Sequence, residues 1–472
     1  MADVHHFSPG ICYGNQSQIQ LKPQPNAISL TRQLKSALVN VPNGTALLNS
    51  FSQQQYLAIS EMSKTDFSIL SLEKVVTLAL PSIITMAIAK QLGADEYGTL
   101  VWVMGIAGLL QPITTLGANQ LIQALTKSFG SEIHSQKILW AGIKLQVIGS
   151  IIALPVYFAT ISWINDSSVK LMLFLIWLAG LLQSGEVAQY WLLGLGQIRN
   201  AAKPSLYSTL TNAALKFGGV IVKSPPIYYC AATAIGSILK TVYYGRQANI
   251  IELWKRRKST ELARLTKLDV YISKRSIFYS LSGLSVSVYM QSDVVMLGIM
   301  DSKEVAGVYS IICLIASSST SIASLVPTYL FSKHELKDRS LVSRYFKASS
   351  FSSLVFSLIY LLGANAVISY LSGNYQIGYK SILILTPLIY MGTMGSALGN
   401  LQNIERLESS ALWNTVSGAI ANILLNLVLI PRFSLNGAAM AFVISSFIAG
   451  YITPWFNKTS KSTAYKYFLN PI

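Results

Sequence analysis

Charge is scarce in this 472-residue chain. Asp, Glu, Lys and Arg together make up 12% of it, against about 25% in an average soluble protein. Acids are scarcer still, 19 against 36 Lys and Arg, for a net charge of +17. Such a balance in a soluble protein would point to nucleic acid. No basic face interleaved with aromatics exists to carry that role, so nucleic acid is excluded as a partner. Histidine is nearly missing: His5, His6, His134 and His334 all fall in polar segments. Cys12, Cys230 and Cys313 form no CxxC pair. The last two lie in apolar runs as small buried side chains, which excludes a His–Cys metal site within those runs. Residues 1–65 have no apolar core after a basic start, so they are not a cleavable signal peptide.

Apolar sequence is what the chain has in abundance: 52% of residues are hydrophobic and the mean hydropathy is +0.46. Runs of about twenty apolar residues, each enough to cross ~30 Å of hydrocarbon, fall at 67–91, 98–125, 138–163, 168–192, 202–222, 227–245, 276–300, 305–331, 346–371, 379–402, 409–430 and 436–456. In lipid the backbone must satisfy its own hydrogen bonds, so these are helices. The expected fold is an all-α polytopic membrane protein of about twelve transmembrane helices, in two parallel six-helix lobes around a central cavity. Its divisions are a polar, disordered N-terminal extension (1–65), an N-lobe (66–245), a basic linker (246–275), a C-lobe (276–457) and a tail (458–472). Within the extension, residues 28–39 fit a short surface helix.

The linker fixes orientation. It holds nine Lys or Arg against three acids, and positive flanks stay on the cytoplasmic side during insertion. Counting Lys and Arg outside the runs puts twenty-five on that side and four on the other. Both termini are therefore expected in the cytoplasm. The halves also resemble each other. KQLGADEYGTLVWVMGIAGLL (90–110) reads like GIMDSKEVAGVYSIICLIASS (298–318), and LYSTLTNAALKFGGVIVKSPP (206–226) aligns without a gap on LWNTVSGAIANILLNLVLIPR (412–432). Six runs per half give repeats of one orientation, related by an axis along the membrane normal, with a midplane site between them.

Ionisable groups within the runs cost about 2.5–3.5 kcal/mol each on insertion scales, so they normally face a wet cavity or a partner. Glu73, Lys74, Lys144 and Lys240 lie within about two turns of the cytoplasmic ends, where the lysines can also snorkel. Lys216 lies deeper, on a helical stripe with Ser205, Ser208, Thr209, Asn212 and Gly219. That stripe suits water or an anion, or simply helix–helix hydrogen bonding. The equivalent face near 412–430 carries Thr415, Asn422 and Asn426. Asp293 and Glu186 are lone carboxyls, fit either for coupling and gating or for a structural pair with a lysine or backbone donors.

At these residues a resemblance becomes specific. KQLGADEYG, QSDVVMLGIMDSKEVAGVYS, ANILLNLVLIPRFSLNGAAMAFVIS and GEVAQYWLLGLGQIRNAAK (185–203) stand in the order and at the spans seen in the polysaccharide-unit flippases. These export lipid-linked O-antigen, capsule and exopolysaccharide units and belong to the multidrug/oligosaccharidyl-lipid/polysaccharide superfamily. The similarity runs from about 67 to 457. Tyr190-Trp191 stands at the family's aromatic pair and Asp293 at its aspartate. Gln291 replaces a common basic residue, and Lys90 a common Arg.

The resemblance implies a V-shaped pair of lobes around a cationic cavity. By alternating access it would carry an undecaprenyl-pyrophosphate-linked oligosaccharide to the outer leaflet of the bacterial cytoplasmic membrane. The expected substrate contacts are Lys216, Asn212, Lys144, Lys240 and Asn422, with Asp293, Glu186 and Glu73 in coupling or gating. No cofactor or metal is expected, and proton or sodium coupling stays open. Beyond the substrate and membrane lipids, a polysaccharide polymerase complex is the protein partner such a role implies. The rivals are a cation-coupled multidrug exporter of the same superfamily, which would favour acids and aromatics in its cavity, and a membrane polymerase or acyltransferase. The latter needs a catalytic set that these short outer loops and His-free spans do not offer.

Overall fold

The computed structural model describes residues 64–129, 132–182, 185–250, 267–333, 339–404, 408–457 and 463–469. The expectations for residues 1–63, including the surface helix at 28–39, and for 251–266 lie outside the described residues. Among the described residues there is no strand. The helices are α1 (Lys64–Thr115), α2 (Ala118–Phe129), α3 (Glu132–Ser162), α4 (Ser167–Leu182), α5 (Glu186–Gly194), α6 (Ile198–Ile221) and α7 (Pro226–Gln247) in the first half. The second half has α8 (Lys267–Met300), α9 (Lys303–Ala323), α10 (Leu325–Lys333), α11 (Arg339–Leu371), α12 (Tyr379–Leu385), α13 (Pro387–Ile404), α14 (Glu408–Phe447) and α15 (Thr463–Leu469).

The described part of each expected apolar run is almost wholly helical. Seven described helices are long and apolar enough to cross a membrane, or eight if the pair bent by 48° near Thr386 is one span. Two of them, Val76–Thr115 and Ser409–Phe456, hold 40 and 48 residues. Each spans all or part of two expected runs, folded apart at Gly93 (φ 78) in α1 and Ser434 (φ 51) in α14. Glycine adopts that left-handed backbone at no steric cost. Ser434 has no such freedom, and its hydroxyl donates to the carboxylate of Asp301 in the α8–α9 turn. Helices α6 and α7, more polar along the predicted stripe, make up the remaining two runs.

The expected linker shortens in the structure. Residues 267–275 continue helix α8 for two polar turns, because a helix need not stop where its apolar run does. The expected tail likewise contains α15. Its Tyr465 and Phe468 are buried, Tyr465 donating its hydroxyl to the Tyr451 carbonyl at 2.7 Å and Phe468 packing 4.8 Å from the Tyr451 ring.

Within the first half, α6 packs on α7 and on α1, and α4 on α7; within the second, α8 packs on α14 and α11 on α13. The halves meet where α1 lies on α8 and α9. At the end of the bundle remote from residues 64 and 457, this seam is backbone against backbone. A Cβ on Gly98 would lie 1.7 Å from the Lys303 carbonyl oxygen, and one on Gly307 would lie 2.4 Å from the Ala94 carbonyl oxygen. The contacts are reciprocal. Shifting the 90–110/298–318 alignment by one residue sets Gly98 on Gly307 and Ala94 on Lys303, so that the two contacts exchange under the repeat. A self-complementary contact of this kind is what a two-fold axis produces. The gapless 206–226/412–432 alignment is less good. It sets the 222–225 turn opposite 428–431, whereas the chain turns at Ser434.

Gly98→Ala and Gly307→Ala are each expected to cost about 1–3 kcal/mol by overpacking and to lower the unfolding temperature in detergent. Gly395→Ala is the control. Its Cβ would enter open space, so a thermal-shift assay should find it neutral or slightly stabilised by helix propensity.

Candidate functional site

Two cavities open inside the bundle. The larger, about 720 Å³, lies against α8, α9, α13 and α14, with Thr85, Tyr97, Val101 and Met104 of α1 closing its wall. It runs from Gln402 and Asn414, near the end that carries residues 64 and 457, down to Asp293 and Tyr97, near the glycine seam. Its lining is hydroxyl, amide, glycine and methionine, and among the described residues Asp293 is its one charged side chain. The cationic central cavity implied by the resemblance is therefore not what this space is. Among the described residues no lysine lines it.

Asp293 is 1% exposed and caged by three donors. The amides of Asn422 and Asn426 on α14 reach Oδ1 at 2.9 and 2.5 Å, and the Tyr309 hydroxyl on α9 reaches Oδ2 at 2.6 Å. Around this core, Ser292 donates to Asn422 Oδ1 at 2.5 Å, and the Asn422 amide also reaches Ser445 at 3.4 Å. Three helices are thus held by one carboxylate. Donors to a carboxylate stabilise its charge where water is absent, and Asn426 Oδ1 is left buried without a partner.

The smaller cavity, about 390 Å³, lies wholly in the first half and is polar, lined by Glu73, Glu186, Tyr190, Ser205, Asn212 and Lys240 among others. Lys240 Nζ sits 2.5 Å from Glu186 Oε1, and the Asn119 amide lies 3.5 Å from Oε2. Glu73, 3% exposed, accepts the Ser205 hydroxyl at 2.5 Å. Asn212 Oδ1 is buried without a partner.

The stripe on α6 is half in place. Ser205, Ser208, Thr209 and Asn212 line the smaller cavity; Lys216 and Gly219 do not. Past Asn212 the gap to α7 shuts, because Asn212 packs on Gly236 and the rings of Tyr228 and Tyr229 pack on Gly219. Lys216 is half-buried, near Cys230 of α7, with no hydrogen bond or ion pair among the described residues. Lys144 lines neither cavity. Glu186 and Lys240, expected in separate roles, are brought together as a pair. Asn422 joins Asp293 rather than a substrate surface. Of the aromatic pair, Tyr190 lines the smaller cavity, while Trp191 is buried with its indole N–H on the Ser135 carbonyl at 2.9 Å. Tyr309 escaped the sequence reading. The signal existed: Asp293 and Tyr309 stand nearly equidistant from the 301–302 turn, which puts them level on adjacent antiparallel helices.

Two packed helical halves with long apolar helices describe a multi-pass membrane protein. The fold is that of the MOP superfamily. The lipid II flippase MurJ in an inward closed conformation matches with TM-score 0.65 and 15% identity over 85% of this chain and 90% of that one. An inward-facing MATE multidrug resistance transporter of the MOP superfamily matches with TM-score 0.59 and 12% identity over 85% and 99%. The MATE multidrug transporter DinF-BH matches with TM-score 0.54 and 16% identity over 90% and 97%. No curated protein matches the sequence. The profile of the polysaccharide biosynthesis protein family matches residues 63–331, more than half of the chain, and the protein belongs to that family.

The Glu186–Lys240 pair makes a checkable demand. Lys240→Met alone leaves a carboxylate unpaired at a site where the partners are 28% and 17% exposed, and is expected to cost about 1–3 kcal/mol. Adding Glu186→Gln should recover most of that loss in thermal unfolding. A double variant no more stable than the single one would show that the pair is not coupled.

Proposed function

We propose that this protein is a flippase for undecaprenyl-pyrophosphate-linked oligosaccharide repeat units. It moves them from the inner to the outer leaflet of the bacterial cytoplasmic membrane by alternating access, for O-antigen, capsule or exopolysaccharide assembly beside a polysaccharide polymerase. The observation that carries the reading is the large hydroxyl- and amide-lined cavity inside a chain of the polysaccharide biosynthesis protein family. A sugar hydroxyl stripped of water in hydrocarbon costs roughly 2–7 kcal/mol, whereas the serine, threonine and amide wall offers it partners. The polyprenyl tail stays in the bilayer while the head crosses.

With both termini cytoplasmic, as the lysine and arginine distribution favours, the glycine seam closes the outer end and the cavity belongs to an inward-facing state. Outward movement of an anionic head is assisted by an inside-negative potential, by about 2.3 kcal/mol per charge per 100 mV. Lys216 is the cation we assign to the pyrophosphate, one turn beyond the polar stripe of α6. Asp293 is the coupling group. Its cage ties α8, α9 and α14 together, so gain of a proton or a sodium ion there would change how three helices are held. In the first half, Glu73 with Ser205 and the Glu186–Lys240 pair act as the gating counterpart.

The multidrug-exporter reading keeps one observation in its favour: among the described residues the one charge on the larger cavity is negative, and its lining includes Met104, Met290, Met391 and Phe442, a surface suited to lipophilic cations. Against it, the carboxylate of Asp293 is already occupied by three donors.

Deleting the gene should abolish surface polysaccharide and leave the lipid-linked unit in the inner leaflet. Intact polysaccharide with new drug sensitivity would instead establish the exporter. Asp293→Asn, which keeps the side chain's shape, is expected to slow export at least tenfold while the protein still accumulates in the membrane. Replacing sodium with choline, or collapsing the pH gradient, in proteoliposomes would identify the ion. Wild-type export by Asp293→Asn at every pH removes the coupling role. Lys216→Ala is expected to abolish export, and normal export would release Lys216 from the phosphate.

A further inference from the structure

Six hydroxyls on the wall of the larger cavity already have their protons engaged. Thr85 donates to the Pro81 carbonyl at 2.8 Å, Ser310 to Gly307 at 3.0 Å, Ser317 to Leu314 at 3.1 Å and Thr320 to Ala316 at 2.9 Å. Thr415 donates to the Ala411 carbonyl at 2.9 Å and Ser446 to Phe442 at 2.7 Å. A carbonyl oxygen only accepts, so in each case the hydroxyl is the donor and what it turns to the cavity is lone pairs. The six come from α1, α9 and α14, so the acceptors surround the space rather than sit on one side.

Electrostatics act in the same direction. Among the described residues the wall has no Lys or Arg, and its single charge is the carboxylate of Asp293. Room is left for a ligand beside α13, where a Cβ on Gly395 or Gly399 would meet nothing within 4 Å. A ligand seated against these six hydroxyls must bring hydrogen-bond donors, the wall's own donors being chiefly the amides of Gln291, Gln402 and Asn414. An anionic ligand would leave its own charge unpaired in a water-poor space, where no cation offsets the cost of desolvation.

The geometry points to a donor-selecting glycan site: the larger cavity takes neutral or amino-bearing sugar units and rejects uronic-acid-bearing ones, and the phosphates of the carrier lie outside it. This rests on the flippase reading and adds the class of sugar to it. Hydroxyl-rich and amine-bearing rings supply donors on every side, whereas a carboxylate brings only acceptors to these six hydroxyls and finds no cation on the wall.

The test uses the full-length protein in lipid nanodiscs and three fluorescently labelled trisaccharides, of N-acetylglucosamine, glucosamine and galacturonic acid, with affinity read by anisotropy. The first two are expected to bind at least tenfold more tightly than the third. Ser317→Lys on α9 and Thr415→Lys on α14, two walls of the same cavity, should each strengthen galacturonate binding at least tenfold and weaken glucosamine binding. Equal affinity for the neutral and acidic trisaccharides, or an order unmoved by both lysines, overturns the proposal while the flippase reading stands. If no trisaccharide binds, the proposal fails; if tetraphenylphosphonium binds in their place, the flippase reading fails with it.

Discussion

Two missing side chains set the geometry of this molecule. At Gly98 and Gly307 the halves approach until one backbone touches the other, and nothing larger than hydrogen fits between them. Carbonyl-to-helix contact at that distance is unforgiving, so the end beside Gly93 and Asp301 is shut while the helices diverge from it. The larger cavity lies beyond that seam, between α1 and the second half.

Away from the seam the two halves arrange their polar groups differently. The second half gathers its polar groups into one buried cage around Asp293, where two amides and a phenol converge on a single carboxylate. The first half spreads its charges as Glu73 with Ser205 and Glu186 with Lys240, along a small wet chamber. A structure that rocks about the seam loads these two arrangements differently. The cage is shared by three helices and breaks only if they part. The ion pair joins α5 to α7, two neighbours within the same half.

Much of this was legible in the residues. The twelve apolar runs, the duplicated turn at 90–110 and 298–318, and the stripe Ser205, Ser208, Thr209 and Asn212 follow from periodicity, because lipid leaves the backbone few alternatives. Pairing was not legible. Periodicity puts Lys216 on the same face as Asn212, but whether that face is open depends on Gly236, Gly219 and two tyrosines of the next helix. Glu186 and Lys240 lie 54 residues apart, and the sequence contains nothing that sets one opposite the other. The absence of lysine from the larger cavity was likewise hidden, since it is a property of how helices rotate about their axes. Tyr309 is the exception that hairpin arithmetic would have found.

The short helix α15 has a practical consequence. Through Tyr465 and Phe468 it grips Tyr451, in the turn of π-helix (Ile448–Ile452) that follows α14, and Ala449 and Gly450 of that turn form part of the larger cavity's wall. Whatever is attached behind Leu469 therefore has a lever on the chamber, two aromatic contacts away. A bulky reporter fused at the carboxyl end would tug on the compartment it was meant to watch, and localisation or turnover assays on this protein are better served by a label placed elsewhere.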